Sequence, residues 1–286
     1  MKTQKSFKNG VATLFLVATP IGNLDEMTFR AIKTLNEVDC IVAEDTRNTI
    51  KLLNYFNIKN KMISHHQHNI QKSIPKIIQM LQENQNIALV SDAGYPAISD
   101  PGYELVKAVL DVGLNVVCIS GANAGLNALV VSGIKPQPFI FYGFLDHSDK
   151  KKRKQLDNLK YYQETLIFYE SPYRLIKTLE LMLHAFGNRE IVICRELTKL
   201  HEEMLRGKIS EILDYLDEIK GEIVLIVEGS KTIKEEEVLY EISILEHVNK
   251  YIADGLSTRD AIKQVAKARK LGKNEVYSEF VQENNK

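Results

Sequence analysis

The chain has 286 residues, 44% hydrophobic and 26% charged, with 37 basic side chains balanced by 37 acidic ones. That length suits about two domains of roughly 150 residues, and the composition excludes a disordered, collagenous or disulfide-stapled protein. A formal net charge of zero points to no partner, so any attraction for nucleic acid has to come from local charge.

The opening stretch, MKTQKSFKNGVATLFLVATPIG, sets lysines before an apolar octet, as a signal peptide does. The octet is short, β-like and followed by a loop with no small-residue cleavage site, so 13–18 reads as a strand and the chain as cytoplasmic. No apolar run approaches the roughly 18 residues of a membrane helix, and no membrane partner is expected. Cys40, Cys118 and Cys194 each sit in an apolar run and lack CxxC spacing. They are expected to be buried, reduced strand residues, with no metal framework.

From there strand-like and helix-period segments alternate. MTFRAIKTLNEV predicts a helix, CIVA a strand, TIKLLNYF a helix, KMIS a strand and QKSIPKIIQMLQEN a helix. NIALV, NVVCIS and FIFYGF predict further strands, separated by the helices GYELVKAVLDVG and AGLNALVVSG. Such alternation predicts a mostly parallel sheet covered by helices. KKKRK at 150–154 breaks the composition, after which ETLIFYE, REIVICREL and GEIVLIVEG alternate with YRLIKTLELMLHAFG and EILDYLDEI. Beyond KTIKEEEV three helices are expected, near 235–253, 258–271 and 274–283. The expected architecture is two α/β domains, 1–146 and 147–233, with mixed, mostly parallel sheets and a cofactor cleft between them, followed by a helical tail at 234–286.

Ligands of open parallel sheets collect beyond the carboxyl ends of the strands, and three loops there have suitable composition: TPIGNLDE, SDAGYPAISDPG and SGANAG. Their glycines, Gly22, Gly94, Gly121 and Gly125, let backbone approach a ligand closely. None is GxGxxG, which disfavours ordinary dinucleotide binding. Asp100 before Pro101 reads as a helix N-cap with proline at the first helical position. Glu44, Asp45 and Arg47 in AEDTR are either a surface ion cluster or a polar cleft wall. His65, His66 and His68 lack an acidic or cysteine partner at zinc-like spacing. Glu170 and Ser171, before Pro172, look partly like a cap, whereas Arg195, Glu196 and Lys199 have no simple local role.

In the tail, Arg259, Lys263, Lys267 and Lys270 fall in one stripe roughly 80° wide at about 100° per residue, opposite Ala261, Ile262, Val265 and Ala268. Between His247 and Lys273, seven basic residues face two acidic ones, a net of +5. Such a stripe is either a solvated face or a phosphate-contacting one. Lys150, Lys151, Lys152 and Arg153 offer a second basic site, to which Arg47 is added.

Taken in order, LVATPIGNLDEMTFRAIKTL, IVAEDTR, VSDAGYPAISDPG, FYGFL, IFYESPYRL and CRELTK closely resemble the ribosomal RNA small-subunit methyltransferase I group of the tetrapyrrole methylase superfamily. The resemblance runs from about residue 13 to the end of the chain. It implies two α/β domains, a homodimer, and S-adenosylmethionine-dependent methylation of a cytidine ribose 2′-hydroxyl in small-subunit (16S) ribosomal RNA, the target being splayed out of folded RNA. It also implies cofactor contacts from Pro20, Ile21, Gly22, Ser91, Asp92, Ala93, Gly94, Tyr95, Gly121, Asn123 and Ala124, and from Tyr169, Glu170, Ser171, Glu196 and Leu197. Glu44, Asp45, Asp92, Glu170, Glu196 and Lys199 are the candidates for acid/base work. Ser120 and Ala122 stand where relatives commonly have prolines, Tyr95 where threonine is common, and Ile70 where an acid is frequent. Two rivals are a methyltransferase acting on a tetrapyrrole or another small molecule, which has no use for the basic tail, and a noncatalytic RNA-binding assembly factor, which has no use for three ligand loops.

Overall fold

A computed structural model describes residues 3–6, 10–217, 219–232, 242–269 and 271–284. By backbone contacts the chain forms two units, one of residues 1–157 and 164–228, the other of 158–163 and 229–286. Both sheets belong to the first unit.

The first sheet contains β1 (Thr13–Val17), β2 (Cys40–Ala43), β3 (Met62–Ser64), β4 (Ile87–Val90) and β5 (Asn115–Ile119). They are ordered β3-β2-β4-β1-β5 and every pairing is parallel. β2 and β4 are buried along their whole length, which is why CIVA and IALV read as unbroken apolar runs. One face, through Val17, Ile41, Ala43 and Val90, packs against Ala31 and Leu35 of α1 (Phe29–Glu37) and Leu53 of α2 (Thr46–Tyr55). The other, through Leu14, Val42, Ile87 and Leu89, packs against Ile77 and Leu81 of α3 (Ile70–Gln82) and Leu105 and Val109 of α4 (Tyr103–Asp111). The N-terminal octet is therefore a central strand, flanked by β4 and β5. Among the described residues no helix is long and apolar enough to cross a membrane.

After α5 (Ala124–Ser132) the second sheet is built from β6 (Phe139–Phe144), β7 (Thr165–Glu170), β8 (Glu190–Arg195), β9 (Glu203–Lys208) and β10 (Ile223–Val227), in the order β6-β7-β10-β8-β9. Only β6 with β7 is parallel; β7 with β10, β10 with β8 and β8 with β9 are antiparallel. The parallel share of the fold thus lies mainly in the first sheet. Ala128 and Leu129 of α5 pack on Ile167, Val192 and Ile226 of this second sheet. Its other helices are α6 (Asp149–Leu159), α7 (Leu175–Phe186) and α8 (Ile209–Tyr215).

Two elements differ from the sequence reading. KKKRK is the first half of α6, and EMLRGK, unassigned from the sequence, is the edge strand β9. Cys40 and Cys194 are buried as expected, but Cys118 is exposed.

In the second unit, α9 (Ile244–Ala253), α10 (Thr258–Arg269) and α11 (Lys273–Asn284) enclose their own core of Ile244, Val248, Ala261, Ile262, Val265, Ala266, Val276 and Phe280. Ser243 and Glu246 form a reciprocal cap at the start of α9. The expected helix from 235 thus has described helical residues only from Ile244, and 235–241 lie outside the described residues. Residues 158–163 join this unit, with the Ser230 amide donating to the Tyr162 carbonyl at 2.6 Å.

Candidate functional site

The ends of β1 and β4 are tied together by main chain. Thr19 and Gly94 exchange two backbone hydrogen bonds, of 2.9 and 3.0 Å. The Ser91 hydroxyl donates to the Gly94 carbonyl at 3.0 Å, and the Thr19 hydroxyl to the Ser91 carbonyl at 3.2 Å. The loop after β5 closes on the same point: the Gly121 amide donates to the Tyr95 hydroxyl at 3.2 Å. A Cβ on Gly121 would stand 2.9 Å from the Ala18 Cβ, closer than unbonded carbons pack, so this approach requires glycine. On the facing side, a Cβ on Gly22 would meet Lys199 Cγ at 2.5 Å, so the loop after β1 touches the loop after β8.

Between these loops and the second sheet lies a cavity of about 420 Å³, within the range of small-molecule sites. Ile21, Asp92, Ala93, Gly94, Tyr95, Asn123 and Ala124 line it from the first half of the chain. Tyr169, Glu170, Ser171 and Leu197 line it from the second. Of the other expected cofactor contacts, Pro20, Gly22, Ser91, Gly121 and Glu196 are not among its lining residues. Ser91 and Gly121 instead brace the loops that are, and Asn123 also caps α5 through the Leu126 amide at 2.8 Å.

Asp100 lines this cavity as well, which corrects its assignment as a helix cap. Helix α4 begins three residues later, at Tyr103, with Gly102 as its N-cap at φ 148°. A Cβ at 102 would lie 3.0 Å from the Ala97 Cβ and 3.1 Å from a Leu89 methyl. Ala97 and Ser99 are themselves left-handed, at φ 68° and 63°. That backbone path carries Asp100 away from the helix start and into the cavity wall. Burial first, then the charges of Glu44 and Asp92, push its carboxyl up from 3.8 to about 6.

The acid/base candidates divide by the partners they hold. Glu44, at the end of β2, has a carboxyl raised by burial and by Asp92. Asp45 is the N-cap of α2: its Oδ1 accepts from the Arg47 amide at 2.8 Å and its Oδ2 from the Arg47 guanidinium at 2.7 Å. The Arg47 bonds hold Asp45 down to about 2, which suits a cap and makes it a poor proton acceptor. Glu170 is locked among Arg174 at 3.1 Å, the Ser171 amide at 2.8 Å, the Thr178 hydroxyl at 2.5 Å and Lys152 at 3.5 Å. Lys199 bridges Glu196 and Glu222, both at 2.8 Å. Burial opposes its charge, but those two bonds outweigh it and raise the lysine, while the same Lys199 bond lowers Glu196. A lysine held charged in this way is no base.

The basic residues divide similarly. Lys152 is only 2% exposed and belongs to the Glu170 network, donating to Thr178 at 2.7 Å, so it is not available to RNA. Lys150 and Arg153 are exposed, and exposed Lys151 pairs with Asp146 at 3.5 Å. In the second unit Arg259, Lys263 and Lys267 share the exposed face of α10, and Lys270 lies outside the described residues. Arg269 is turned inward, to the Ile242 carbonyl at 2.6 Å and His247 at 3.2 Å. Of the histidines near 66, His65 is buried against Ser73 at 2.8 Å.

Sequence reading missed the cavity walls at Ile98, Ser99, Phe144, Pro172, Cys194 and Gly221 to Val224. Cys194 is no nucleophile, because burial pushes its thiol up to about 11. Asp100 was visible in SDPG, but the local cap signature favoured the other role.

Residues 13–213 match the family Tetrapyrrole (Corrin/Porphyrin) Methylases. The chain is 51% identical over 287 residues to a ribosomal RNA small subunit methyltransferase I of Bacillus subtilis, with 98% of each covered. It is also 51% identical over 289 residues to the protein of that name from Halalkalibacterium halodurans, covering 99% of this chain and 100% of the relative. Among solved structures, diphthine synthase superposes with TM-score 0.59 at 12% identity, over 81% of this chain and 96% of that one. The uroporphyrin-III-C-methyltransferase of Thermus thermophilus superposes at 0.53 and 16%, over 76% and 94%. These two share the fold.

Proposed function

Because the chain belongs to the tetrapyrrole methylases and, among them, to the ribosomal RNA small subunit methyltransferase I family, we propose that it methylates the ribose 2′-hydroxyl of a cytidine in 16S ribosomal RNA. It is an S-adenosylmethionine-dependent methyltransferase. The observation that carries this reading is the cavity at the carboxyl edge of the first sheet, in whose wall Gly94 is fixed by its main-chain bridge to Thr19.

The cavity suits that cofactor chemically. Its apolar walls, Ile21, Ile98, Leu197, Ile223 and Val224, match an adenine ring, and Asp92 and Asp100 match ribose hydroxyls and positive charge. Ile21, Asp92, Ala93, Gly94, Tyr95, Asn123, Ala124, Tyr169 and Leu197 would hold it. The cofactor supplies a methyl group on a positively charged sulfur, a good leaving group. The protein's task is then positioning, and holding a hydroxyl against such a methyl can supply up to about 7–11 kcal/mol of the barrier.

The tail, 234–286, serves RNA in this reading, its phosphate contacts made by Arg259, Lys263, Lys267 and Lys270, with Lys150, Lys151, Arg153 and Arg47 adding positive charge elsewhere. The α/β parts, 1–146 and 147–233, carry the chemistry. The protein works in the cytoplasm as a homodimer. Support for the dimer comes from α5, whose apolar residues are not confined to its packed face: Leu126, Val130 and Val131 are exposed.

The test incubates purified protein and labelled S-adenosylmethionine with small ribosomal subunits lacking the modification, then maps the label by nuclease digestion and mass spectrometry. Label on one cytidine ribose is expected. Cofactor binding without transfer to ribose would sink the reading.

A further inference from the structure

We propose that Tyr173 is a base-stacking platform at the rim of the cavity, on which a nucleobase of the RNA substrate lies while its strand is presented for methyl transfer. This rests on the methyl-transfer reading above. Three large hydrophobic side chains among the described residues are more than nine-tenths exposed, namely Phe29, Tyr173 and Leu200. Single exposed apolar residues are ordinary on a protein surface, so what matters is where two of these three stand. Tyr173 directly follows Ser171 and Pro172 of the cavity wall, and Leu200 comes three residues after Leu197 of the same wall.

The register of the second sheet sets their loops on either side of β10. Glu170, the last residue of β7, and Arg195, the last of β8, both pair with Ile223, the first of β10. Ile223 itself lines the cavity. With neighbouring strands roughly 5 Å apart, the two loops leave the sheet about 10 Å from one another. Both loops are held while their tips are bare. The Ser171 amide donates to Glu170 at 2.8 Å and the Arg174 amide to the Ser171 carbonyl at 3.1 Å. The Arg174 guanidinium is fixed by the Leu145 carbonyl and His147, each at 2.8 Å, and by Glu170 at 3.1 Å. In the other loop the Thr198 amide donates to Glu202 at 2.6 Å. Between its fixed neighbours Tyr173 is 98% exposed, and its hydroxyl has no partner among the described residues. A turn held on both flanks presents this ring with little conformational entropy left to lose on binding.

The chemistry of the substrate supplies the occupant. A ribose hydroxyl reaches a cofactor-filled cavity when its nucleotide is splayed out of the folded RNA, and a base so exposed has lost its stacking neighbours. An aromatic side chain restores that stacking for any base, because every base has a π-face. Tyr173 carries no charge, so its contribution is independent of the salt dependence that phosphate contacts bring.

The test measures kcat and KM for small ribosomal subunits lacking the modification, at saturating S-adenosylmethionine, with the intact wild-type protein and with Tyr173→Ala, Tyr173→Leu and Tyr173→Phe. Loss of one base stack should lower kcat/KM about 5–150-fold in Tyr173→Ala. Tyr173→Phe keeps the ring and should stay within about threefold of wild type, whereas Tyr173→Leu, apolar without a ring, should stay near the alanine value. The slope of log kcat/KM on log salt should be the same in all four proteins. Because the side chain is 98% exposed and is not part of the cavity wall, the urea midpoint and the calorimetric cofactor affinity should match wild type in all three variants. Wild-type kcat/KM in Tyr173→Ala overturns the proposal, as does a leucine that serves as well as phenylalanine, or a phenylalanine no better than alanine. A loss that comes with a changed mass in analytical ultracentrifugation would put a second copy of the chain on Tyr173 and overturn it equally. A wild-type protein that labels no ribose overturns the methyl-transfer reading itself, and is distinguishable because the variants are scored against wild type.

Discussion

Lys152 separates two uses of the KKKRK run. Its ammonium donates to Thr178 at 2.7 Å and pairs with Glu170 at 3.5 Å, with both charged side chains at most 2% exposed. Burial lowers the lysine's proton affinity, and Glu170 partly restores it. Truncation to alanine removes the cation and leaves Glu170 buried, and breaking such pairs costs about 3–5 kcal/mol. Arg174 stays 3.1 Å from Glu170, and the Thr178 and Ser171 donors remain, so the lower end, about 3 kcal/mol, is expected. Lys152→Met keeps the aliphatic stem and should recover part of the packing loss. Lys151→Ala and Arg153→Ala, at exposed positions of α6, should each change stability by less than about 0.5 kcal/mol. Urea unfolding of the four variants, with RNA affinity measured on each folded one, decides the matter. If Lys152→Ala unfolds like Lys151→Ala and instead weakens RNA binding selectively, the buried-network argument is wrong.

Asp100→Asn should also change how stability depends on pH. The native protein holds this proton more tightly than the unfolded chain, at about 6 against 3.8, so the wild-type advantage present below pH 4 is lost as pH rises through 6. The full penalty is about 3 kcal/mol and roughly 1–2 after allowance for solvent at the cavity; thermal unfolding at pH 4 and pH 8 should show the variant gaining only at the higher pH. Replacing Lys263 and Lys267 by alanine should flatten the dependence of log affinity for RNA on log salt, by about 0.7–0.9 for each phosphate no longer neutralised; an unchanged slope counts against the basic stripe. Gly121→Ala forces the Ala18 Cβ and carbonyl, at 2.9 and 3.3 Å, to give way, and should cost on the order of 1–3 kcal/mol in stability and weaken cofactor binding measured by calorimetry.

The first sheet was legible because its strands are short apolar runs that soon give way to threonine, serine or acid. The second was less so. β9 carries Glu203, Arg206 and Lys208 on an edge that pairs with β8 alone, so its alternation is too weak to stand out. α6 did have a helical period, Lys152, Leu156 and Leu159, all buried, but a lysine occupied the first apolar position and the run read as charge. Asp100 failed for the opposite reason. Aspartate before proline is a strong local signal, and only the tertiary packing of Gly102 against Ala97 and Leu89 overrides it. Partner bonds within the site are likewise invisible in sequence, because Glu170 meets Lys152 and Lys199 meets Glu222 across strand ends.

The bridge between Thr19 and Gly94 uses only amides and carbonyls, so the stretch of cavity wall it fixes is indifferent to most of the side chains around it. Substitutions nearby can then drift without altering its shape, as Tyr95 does by lending its hydroxyl to Gly121. Such a scaffold can be inherited by descendants whose acceptors differ widely while the methyl donor stays the same.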